Sequence, residues 1–193
     1  TTSGAKFIPI TRESMSNHIN SARNALLHYI ANSGSAQLLD GKMMFIQGSP
    51  VLHRTHGGTP LGRLSGIVAH HIPRYLQSNR LPSMASNSVE PWEAKIEAIV
   101  EETKDEDMRL ISGIPSWVQN YFERLLEVTG ARNVREVFPN LELFVYGGVA
   151  FSPYRERFRD LIGSDVRSVE LFPASEGFFA YQDELESTGL RLN

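Results

Sequence analysis

The sequence predicts an α/β fold in which a mainly parallel sheet is flanked by helices. In the second half, short apolar segments at 108–111, 141–146 and 166–172 are separated by segments of helical periodicity at 116–128 and 153–162. Strand–helix–strand alternation is typical of crossover units, in which consecutive strands run parallel. The chain has 193 residues, of which 41% are hydrophobic, so it is long and apolar enough to bury a core.

The first half contains elements of both kinds. Thr11 is a suitable N-cap for a helix in which Ile19, Ala22, Leu26 and Ile30 recur at helical spacing. The pattern further predicts a strand at 43–47, a loop at 48–62, a helix at 64–76 that bends or splits at Pro73, a connector at 80–90, a helix at 92–104 preceded by Pro91, and a strand at 177–182.

Composition excludes several classes of protein. Its 19 lysines and arginines against 22 acidic residues give a formal net charge of −3, so the chain lacks the basic excess of a protein that coats nucleic acid. No apolar run approaches the roughly 20 residues that a bilayer-spanning helix needs. The absence of cysteine excludes disulfides, thiolate zinc sites and cysteine nucleophiles. We expect a cytoplasmic protein without a nucleic-acid or membrane partner; the pattern gives no indication of oligomeric state.

The opening segment Thr1-Thr2-Ser3-Gly4-Ala5-Lys6 is a candidate phosphate-binding loop. Its hydroxyls and backbone N–H groups can cradle phosphate oxygens, Gly4 permits a close backbone approach, and Lys6 adds a positive charge. The spacing differs from that of a Walker loop, because Phe7 follows the lysine. Clusters of Ser, Thr and Gly also mark ordinary loops, so this segment alone leaves both interpretations open.

Two further candidate segments follow predicted strands. The strand at 141–146 ends in Gly147-Gly148-Val149-Ala150, and the strand at 166–172 is followed by Pro173-Ala174-Ser175-Glu176-Gly177. If both strands run parallel, both loops leave the sheet at its carboxyl edge, where open α/β sheets bind ligands. The glycine pair can lie against a planar ring, Ser175 can donate to a phosphate, and Glu176 is a hard oxygen ligand suited to Mg²⁺. A plain Gly-Gly turn and a surface Ser-Glu pair are the alternatives.

The loop at 50–58 is a weaker candidate for substrate binding. Its Arg54 can pair with a carboxylate, and His53 lies beside it. A polar loop that only covers the sheet explains the same residues. The scattered histidines do not predict a zinc site, because no cysteine supports them. Trp92 and Trp117 fall on predicted helices, where packing in the core is their usual role.

Taken in this order, the segments resemble the adenylate-forming ligase superfamily. Within it, the chain most resembles the auxin-responsive acyl-acid amido synthetases (the Gretchen Hagen family) of bacterial type. The superfamily has a Thr/Ser/Gly-rich phosphate loop ending in Lys, a Gly-Gly adenine segment and an aromatic-x-x-Thr-Glu motif. The resemblance runs through essentially the whole chain. The matching stretches are Ser175-Glu176-Gly177-Phe178-Phe179-Ala180-Tyr181, which is the most specific, Thr1–Pro9, Ile114-Pro115-Ser116-Trp117, Phe138-Pro139-Asn140 and Tyr146-Gly147-Gly148.

The resemblance implies ATP and Mg²⁺ as cofactors, and it implies roles for particular residues. The residues that would hold the ATP phosphates are Thr1, Thr2, Ser3, Gly4 and Lys6. Adenine would stack on Phe172 and lie against Gly147, Gly148, Val149 and Ala150, while Ser175 would contact the α-phosphate. Lys6 and Glu176 would serve catalysis, Glu176 as the Mg²⁺ ligand, and His53 and Arg54 would line the edge of an acyl pocket. The chain departs from the common pattern in having Phe172 for Tyr, Pro173 for Gly and Ser175 for Thr. The first change keeps an aromatic face and the third keeps a hydroxyl.

By the same resemblance, residues 1–193 correspond to the central part of the large N-terminal adenylation domain, with the C-terminal domain outside the chain. The expected function is that of an ATP-dependent acyl-acid amido synthetase, which adenylates a carboxylic acid and transfers the acyl group to an amine, by analogy an amino acid. We expect the full-length protein to be the active ligase and this piece alone to be inactive. An acyl-CoA ligase of the same superfamily and a non-catalytic nucleotide-binding remnant are the alternatives.

Overall fold

A seven-stranded sheet forms the centre of the fold. The computed structural model describes residues 7–72, 77–185, 187 and 189–193. Within these residues the strands are β1 (Lys42–Ile46), β2 (His53–Arg54), β3 (Pro60–Leu61), β4 (Arg80–Leu81), β5 (Met108–Gly113), β6 (Leu143–Gly147), β7 (Arg167–Ala174), β8 (Gly177–Tyr181) and β9 (Arg191–Leu192). The helices there are α1 (Arg12–Ser33), α2 (Leu64–Ala69), α3 (Met84–Asn87), α4 (Trp92–Thr103), α5 (Pro115–Thr129), α6 (Val134–Val137) and α7 (Arg155–Ile162), with short 3₁₀ turns at Gln37–Leu39 and Ser152–Tyr154.

Parallel pairing dominates this sheet. Its order is β4-β1-β5-β6-β7-β8-β9, and the first five strands of that order pair in parallel. Strands β8 and β9 run antiparallel to their neighbours, and β2 with β3 forms a separate hairpin. Helices α4, α5 and α7 lie between consecutive parallel strands. The predicted α/β fold with a mainly parallel sheet is therefore confirmed, and the carboxyl ends of β1, β5, β6 and β7 share one edge.

Helices α4, α5 and α7 cover one face of the sheet. The strand residues Met44, Ile111 and Phe144 enter a continuous apolar cluster with these helices. Within it, the ring centroid of Phe144 lies 4.9 Å from that of Phe158 on α7, which lies 5.5 Å from that of Phe122 on α5. Full burial of a side chain of this size contributes about 1.5–3 kcal/mol, so the rings fix both helices on the sheet.

Helix α1 covers the opposite face. Its Tyr29 packs with Leu143 and Val145 of β6 and donates a hydrogen bond from its hydroxyl to Glu142 Oε1 at 2.8 Å. The alternate β6 residue Phe144 points into the first cluster, because successive side chains of a strand face opposite sides. Burial on both faces explains why β6 is an unbroken apolar run.

The predicted N-cap of α1 is confirmed. Thr11 has an extended backbone and its side-chain oxygen accepts a hydrogen bond from Ser14 N at 3.1 Å. The most deeply buried face of the helix is not the one that the apolar spacing predicts, because Leu26 and Ile30 are only partly buried. A neighbouring face of the helix contacts the sheet, and its buried residues are Met15, His18, Ser21, Ala25 and Tyr29, of which Tyr29 makes the bond to Glu142. Neither α1 nor any other helix in the described ranges is long and apolar enough to cross a membrane.

The region 64–90 departs from the prediction. The helix expected at 64–76 ends as α2 at Ala69, and residues 73–76 with the predicted bend at Pro73 lie outside the described residues. The segment at 80–90, which the sequence predicts to be a connector, contains β4 and α3. Strand β4 extends the sheet by pairing with Met43 and Met44. A strand of two residues carries too little periodicity to be recognised from sequence.

The glycines that end α5 and α7 allow a matched test of packing. Gly130 and Gly163 both have positive φ, but a methyl group at Gly130 meets no atom within 4 Å, whereas one at Gly163 would lie 2.6 Å from Asn133 Cγ. Asn133 caps α6 by accepting from Glu136 N at 3.1 Å. We expect Gly163→Ala to lower the free energy of unfolding by about 2–5 kcal/mol and Gly130→Ala by about 1–2 kcal/mol, because only the first adds a clash to backbone strain. Urea denaturation measures both, and equal losses would contradict the clash.

Candidate functional site

Two segments singled out in the sequence lie beside each other at the carboxyl edge of the sheet. Gly147 pairs with Leu171 in the β6–β7 register, and a methyl group at Gly147 would lie 2.5 Å from the carbonyl oxygen of Leu171 and 3.4 Å from Pro173 Cδ. So close a backbone approach requires glycine. The structure therefore brings the segment 147–150 next to the start of the segment 173–176. Gly148, Val149 and Ala150 are all exposed there.

The turn between β7 and β8 presents polar and aromatic side chains to solvent. Ser175 and Glu176 are exposed, and neither side chain has a hydrogen-bond or ion-pair partner within the described part of the chain. Phe172, just before the turn, is 52% exposed, and its ring centroid lies 5.6 Å from that of Phe179. The turn thus offers an accessible hydroxyl, an accessible carboxylate and an aromatic face.

These groups suit a magnesium nucleotide. The Phe172 ring can stack on a planar base, and the Glu176 carboxylate is a hard oxygen ligand. Among residues that the structure describes, no group of three or more His, Asp or Glu side chains could hold a metal ion. A cation at Glu176 would therefore take most of its ligands from phosphate oxygens and water, as Mg²⁺ commonly does. The proposed phosphate loop Thr1–Lys6 lies outside the described residues.

A cavity of about 370 Å³ opens at the same edge, and we call it the edge cavity. The carboxyl ends of β1, β5, β6 and β7 form its walls, and Gly147 and Pro173 line it. Tyr146 also lines it and donates its hydroxyl to Glu170 Oε2 at 3.2 Å. Burial is the main cause, and the negative charge of Glu170 the second, of a rise in the pKa of Tyr146 to about 12. The phenol therefore keeps its proton at neutral pH.

A second cavity of about 440 Å³ adjoins the first, and we call it the tryptophan cavity. Trp92 and Trp117 form one of its walls, with ring centroids 5.1 Å apart at an interplanar angle of 45°. Gln47, Gly48 and Arg63 line both cavities, together with Trp117. The two tryptophans pack against the core as the sequence predicts, but both are only half-buried and they also face this cavity.

A buried lysine lies in the wall of the tryptophan cavity. Lys95 on α4 is 4% exposed, and its Nζ donates to the carbonyl oxygens of Gln47 at 2.7 Å and Asn87 at 2.8 Å. Burial lowers the pKa of Lys95, the positive charge of Arg63 acts in the same direction, and Glu90 opposes both. The side chain ties the end of β1 to the end of α3 and holds a positive charge beside the cavity.

No residue of the candidate loop at 50–58 lines either cavity. His53 and Arg54 form strand β2 of the exposed hairpin, and neither lines a cavity described above. The Arg54 guanidinium donates to the carbonyl oxygen of Gly58 at 2.7 Å. Their role in an acyl pocket stays a prediction. The neighbouring loop residue that does reach the cavities is Arg63.

Sequence reasoning missed Gln47, Arg63 and Lys95 as site residues. One signal for Lys95 was available: it interrupts the apolar face of α4, three residues after Trp92 and next to Ile96. A lysine at such a position either reaches solvent or is held by buried acceptors. Nothing local distinguished Arg63 from Arg54, because both stand in the same Gly- and Pro-rich stretch.

Two comparisons relate the chain to known proteins. Residues 76–166, slightly less than half of the chain, match the family model described as GH3 family N-terminal domain. Among solved structures, that of the GH3.15 acyl acid amido synthetase matches with a TM-score of 0.63 and 10% sequence identity, over 92% of this chain and 41% of that chain. No curated protein matches the sequence.

The comparisons establish the fold and support a relationship to the GH3 family. At 10% identity the structural match shows a common α/β architecture alone, and the chain spans about two-fifths of the solved protein's length. The segment matched by the family model contains Trp92, Lys95, Trp117 and Gly147. It does not reach the turn at 175–176, so the roles of those residues rest on their geometry and on the sequence resemblance.

The contacts of Lys95 predict a large effect of its replacement. Lys95→Met would leave the carbonyls of Gln47 and Asn87 without the donor that satisfies them, so we expect the free energy of unfolding to fall by about 2–4 kcal/mol. Lys104→Met is the matched control, because it removes only a surface ion pair with Glu101 just after the same helix. We expect it to change the free energy of unfolding little. Urea denaturation at neutral pH measures both variants. A Lys95→Met protein as stable as the Lys104→Met protein would show that these bonds do not matter.

Proposed function

We propose that this chain is part of an ATP-dependent acyl-acid amido synthetase of the GH3 family. Residues 1–193 would form the central part of its N-terminal adenylation domain, and this piece alone would be inactive. The family-model match over 76–166 and the fold shared with an acyl acid amido synthetase support the proposal. The bacterial-type assignment and the cytoplasmic location remain predictions from the sequence.

One observation carries the proposal. The glycine segment after β6 and the Ser-Glu turn after β7 leave adjacent parallel strands at the same edge, beside a cavity large enough for a small organic acid. Ligands of open α/β sheets bind at this edge. A nucleotide placed across the two segments would meet the Phe172 face and the Glu176 carboxylate, and an acid in the edge cavity would lie next to both.

The reaction needs two substitutions. A carboxylate oxygen of the acid would attack the α-phosphorus of ATP, the bond from the α-phosphorus to the oxygen that bridges it to the β-phosphorus would break, and pyrophosphate would leave. The amine nitrogen then attacks the carbonyl carbon of the acyl-adenylate, the carbon–oxygen bond to AMP breaks, and the nitrogen loses a proton. No protein nucleophile is required, so catalysis would rest on positioning and on the stabilisation of charge.

Each site residue has a part in this scheme. Thr1, Thr2, Ser3, Gly4 and Lys6 would hold the phosphates, with the Lys6 cation offsetting their charge. Adenine would lie against the segment 147–150 and on the Phe172 ring, and the Ser175 hydroxyl would contact the α-phosphate. Glu176 would hold Mg²⁺, which offsets the charge on the leaving pyrophosphate.

Replacement of Glu176 tests the metal site. We expect Glu176→Gln in the full-length protein to reduce Mg²⁺-dependent ATP–pyrophosphate exchange by at least about 100-fold, because the amide loses the charge that binds the cation. Glu101→Gln, at an exposed site near the opposite edge of the sheet, is the control and should keep full exchange. Unchanged exchange in the Glu176 variant would remove this residue from the mechanism.

Replacement of Phe172 tests the adenine contact. Because stacking of a base on an aromatic ring is worth about 1–3 kcal/mol, we expect Phe172→Ala to weaken ATP binding by a factor of about 5 to 150. Leu27→Ala removes a similarly exposed apolar side chain from α1, on the other face of the sheet, and should leave the dissociation constant unchanged. Calorimetric titration of ATP into the full-length variants measures the difference. Equal affinities in the two variants would place adenine elsewhere.

A further inference from the structure

Three side chains that carry hydrogen-bond donors, Gln47, Arg63 and Lys95, line the tryptophan cavity, and the first two also line the edge cavity. Two of the three Nζ protons of Lys95 are used by carbonyl oxygens, and the third has no acceptor among the described residues. The Gln47 Nε2 is buried and likewise has no partner there. Arg63 is exposed, its guanidinium makes no hydrogen bond or ion pair to any described residue, and its stem lies on Gly48, where a methyl group would be 2.7 Å from Arg63 Cδ. Donors left unpaired in a cavity wall favour an acceptor inside the cavity.

The charges and walls of the tryptophan cavity define the kind of acceptor. Arg63 and Lys95 contribute two positive charges against the one negative charge of Glu90, which is exposed. The cavity is therefore locally positive although the chain carries a net charge of −3. The rings of Trp92 and Trp117, tilted by 45° to each other, supply an apolar aromatic wall. This combination suits an anionic oxygen group on a planar apolar body.

We infer that the acid substrate carries a second anionic group at its far end and that the tryptophan cavity binds this group. This inference rests on the proposed function. The carboxylate to be adenylated lies in the edge cavity, near Gly147 and Pro173. The body of the acid passes Gln47 and Trp117, which line both cavities. The distal carboxylate accepts hydrogen bonds from Arg63, Lys95 and the Gln47 amide. The substrate class is thus an aromatic or otherwise planar diacid rather than a simple monocarboxylic acid.

A pair of nearly isosteric probes separates the two classes of acid. Terephthalate carries a second carboxylate where p-toluate carries a methyl group. Charge-assisted hydrogen bonds are worth roughly ten- to a hundredfold in affinity, so we expect terephthalate to bind the full-length protein at least about tenfold more tightly. Calorimetric titration measures both dissociation constants. Equal affinities, or tighter binding of p-toluate, would overturn the inference.

Variants locate the distal group. Arg63→Gln should remove most of the preference for terephthalate, whereas Arg159→Gln, which alters an exposed arginine of α7 that lines neither cavity, should keep it. Gln47→Leu should also reduce the preference without lowering the free energy of unfolding, because it removes a buried amide that has no described partner. A preference retained in both Arg63→Gln and Gln47→Leu would overturn the assignment to this cavity.

Two further arms identify the source of the anionic group and separate the inference from the proposed function. If L-glutamate displaces bound terephthalate and p-toluate fails to displace it, the cavity binds the amine substrate, and the inference fails. Pyrophosphate exchange that proceeds equally well with p-toluate and terephthalate supports the ligase and overturns the diacid inference. A terephthalate preference that depends on Arg63, without exchange for any acid, supports the cavity assignment and overturns adenylation.

Discussion

The parallel pairing of β6 with β7 is the constraint on which the candidate site depends. A parallel ladder places the carboxyl ends of neighbouring strands side by side, so the loops that follow them begin within a few ångströms of each other. With antiparallel pairing, the turn that carries Ser175 and Glu176 would lie at the opposite edge of the sheet from Gly147. The register requires glycine at 147, because the Leu171 carbonyl occupies the space of a side chain.

The edge is held from both faces of the sheet. Phe144 and its aromatic neighbours pack under α5 and α7, while Leu143 and Val145 pack under α1, so β6 has little freedom to move. The exposed turn after β7 is supported by β8, whose Phe178 reaches the α1 side of the core. Catalysis by electrostatic stabilisation needs groups that are already in place, and a doubly covered sheet provides such support.

The sequence was informative where structure follows from local pattern. The alternation of strand and helix segments predicted the parallel sheet, and strands followed by Gly147-Gly148 and by Ser175-Glu176 predicted which residues would share an edge. Lys95 could not be found in this way, because its burial depends on the carbonyls of Gln47 and Asn87, which are brought to it by the fold. Arg54 and Arg63 were equivalent in sequence. Only the hairpin, which turns Arg54 onto the Gly58 carbonyl, separates them.

The two hydrogen bonds that Lys95 makes do not require a charged donor. Two carbonyl oxygens can be satisfied by neutral donors, whereas a buried ammonium carries a desolvation cost that lowers its pKa. Glu90 offsets that cost in part, and the nearby charge of Arg63 adds to it. An anionic group in the tryptophan cavity would reverse the balance, since it would interact with both cations in a partly desolvated space. The two cations that make the tryptophan cavity unfavourable for a further cation would therefore favour an anion there, and a neutral acid of equal size would leave that electrostatic cost in place.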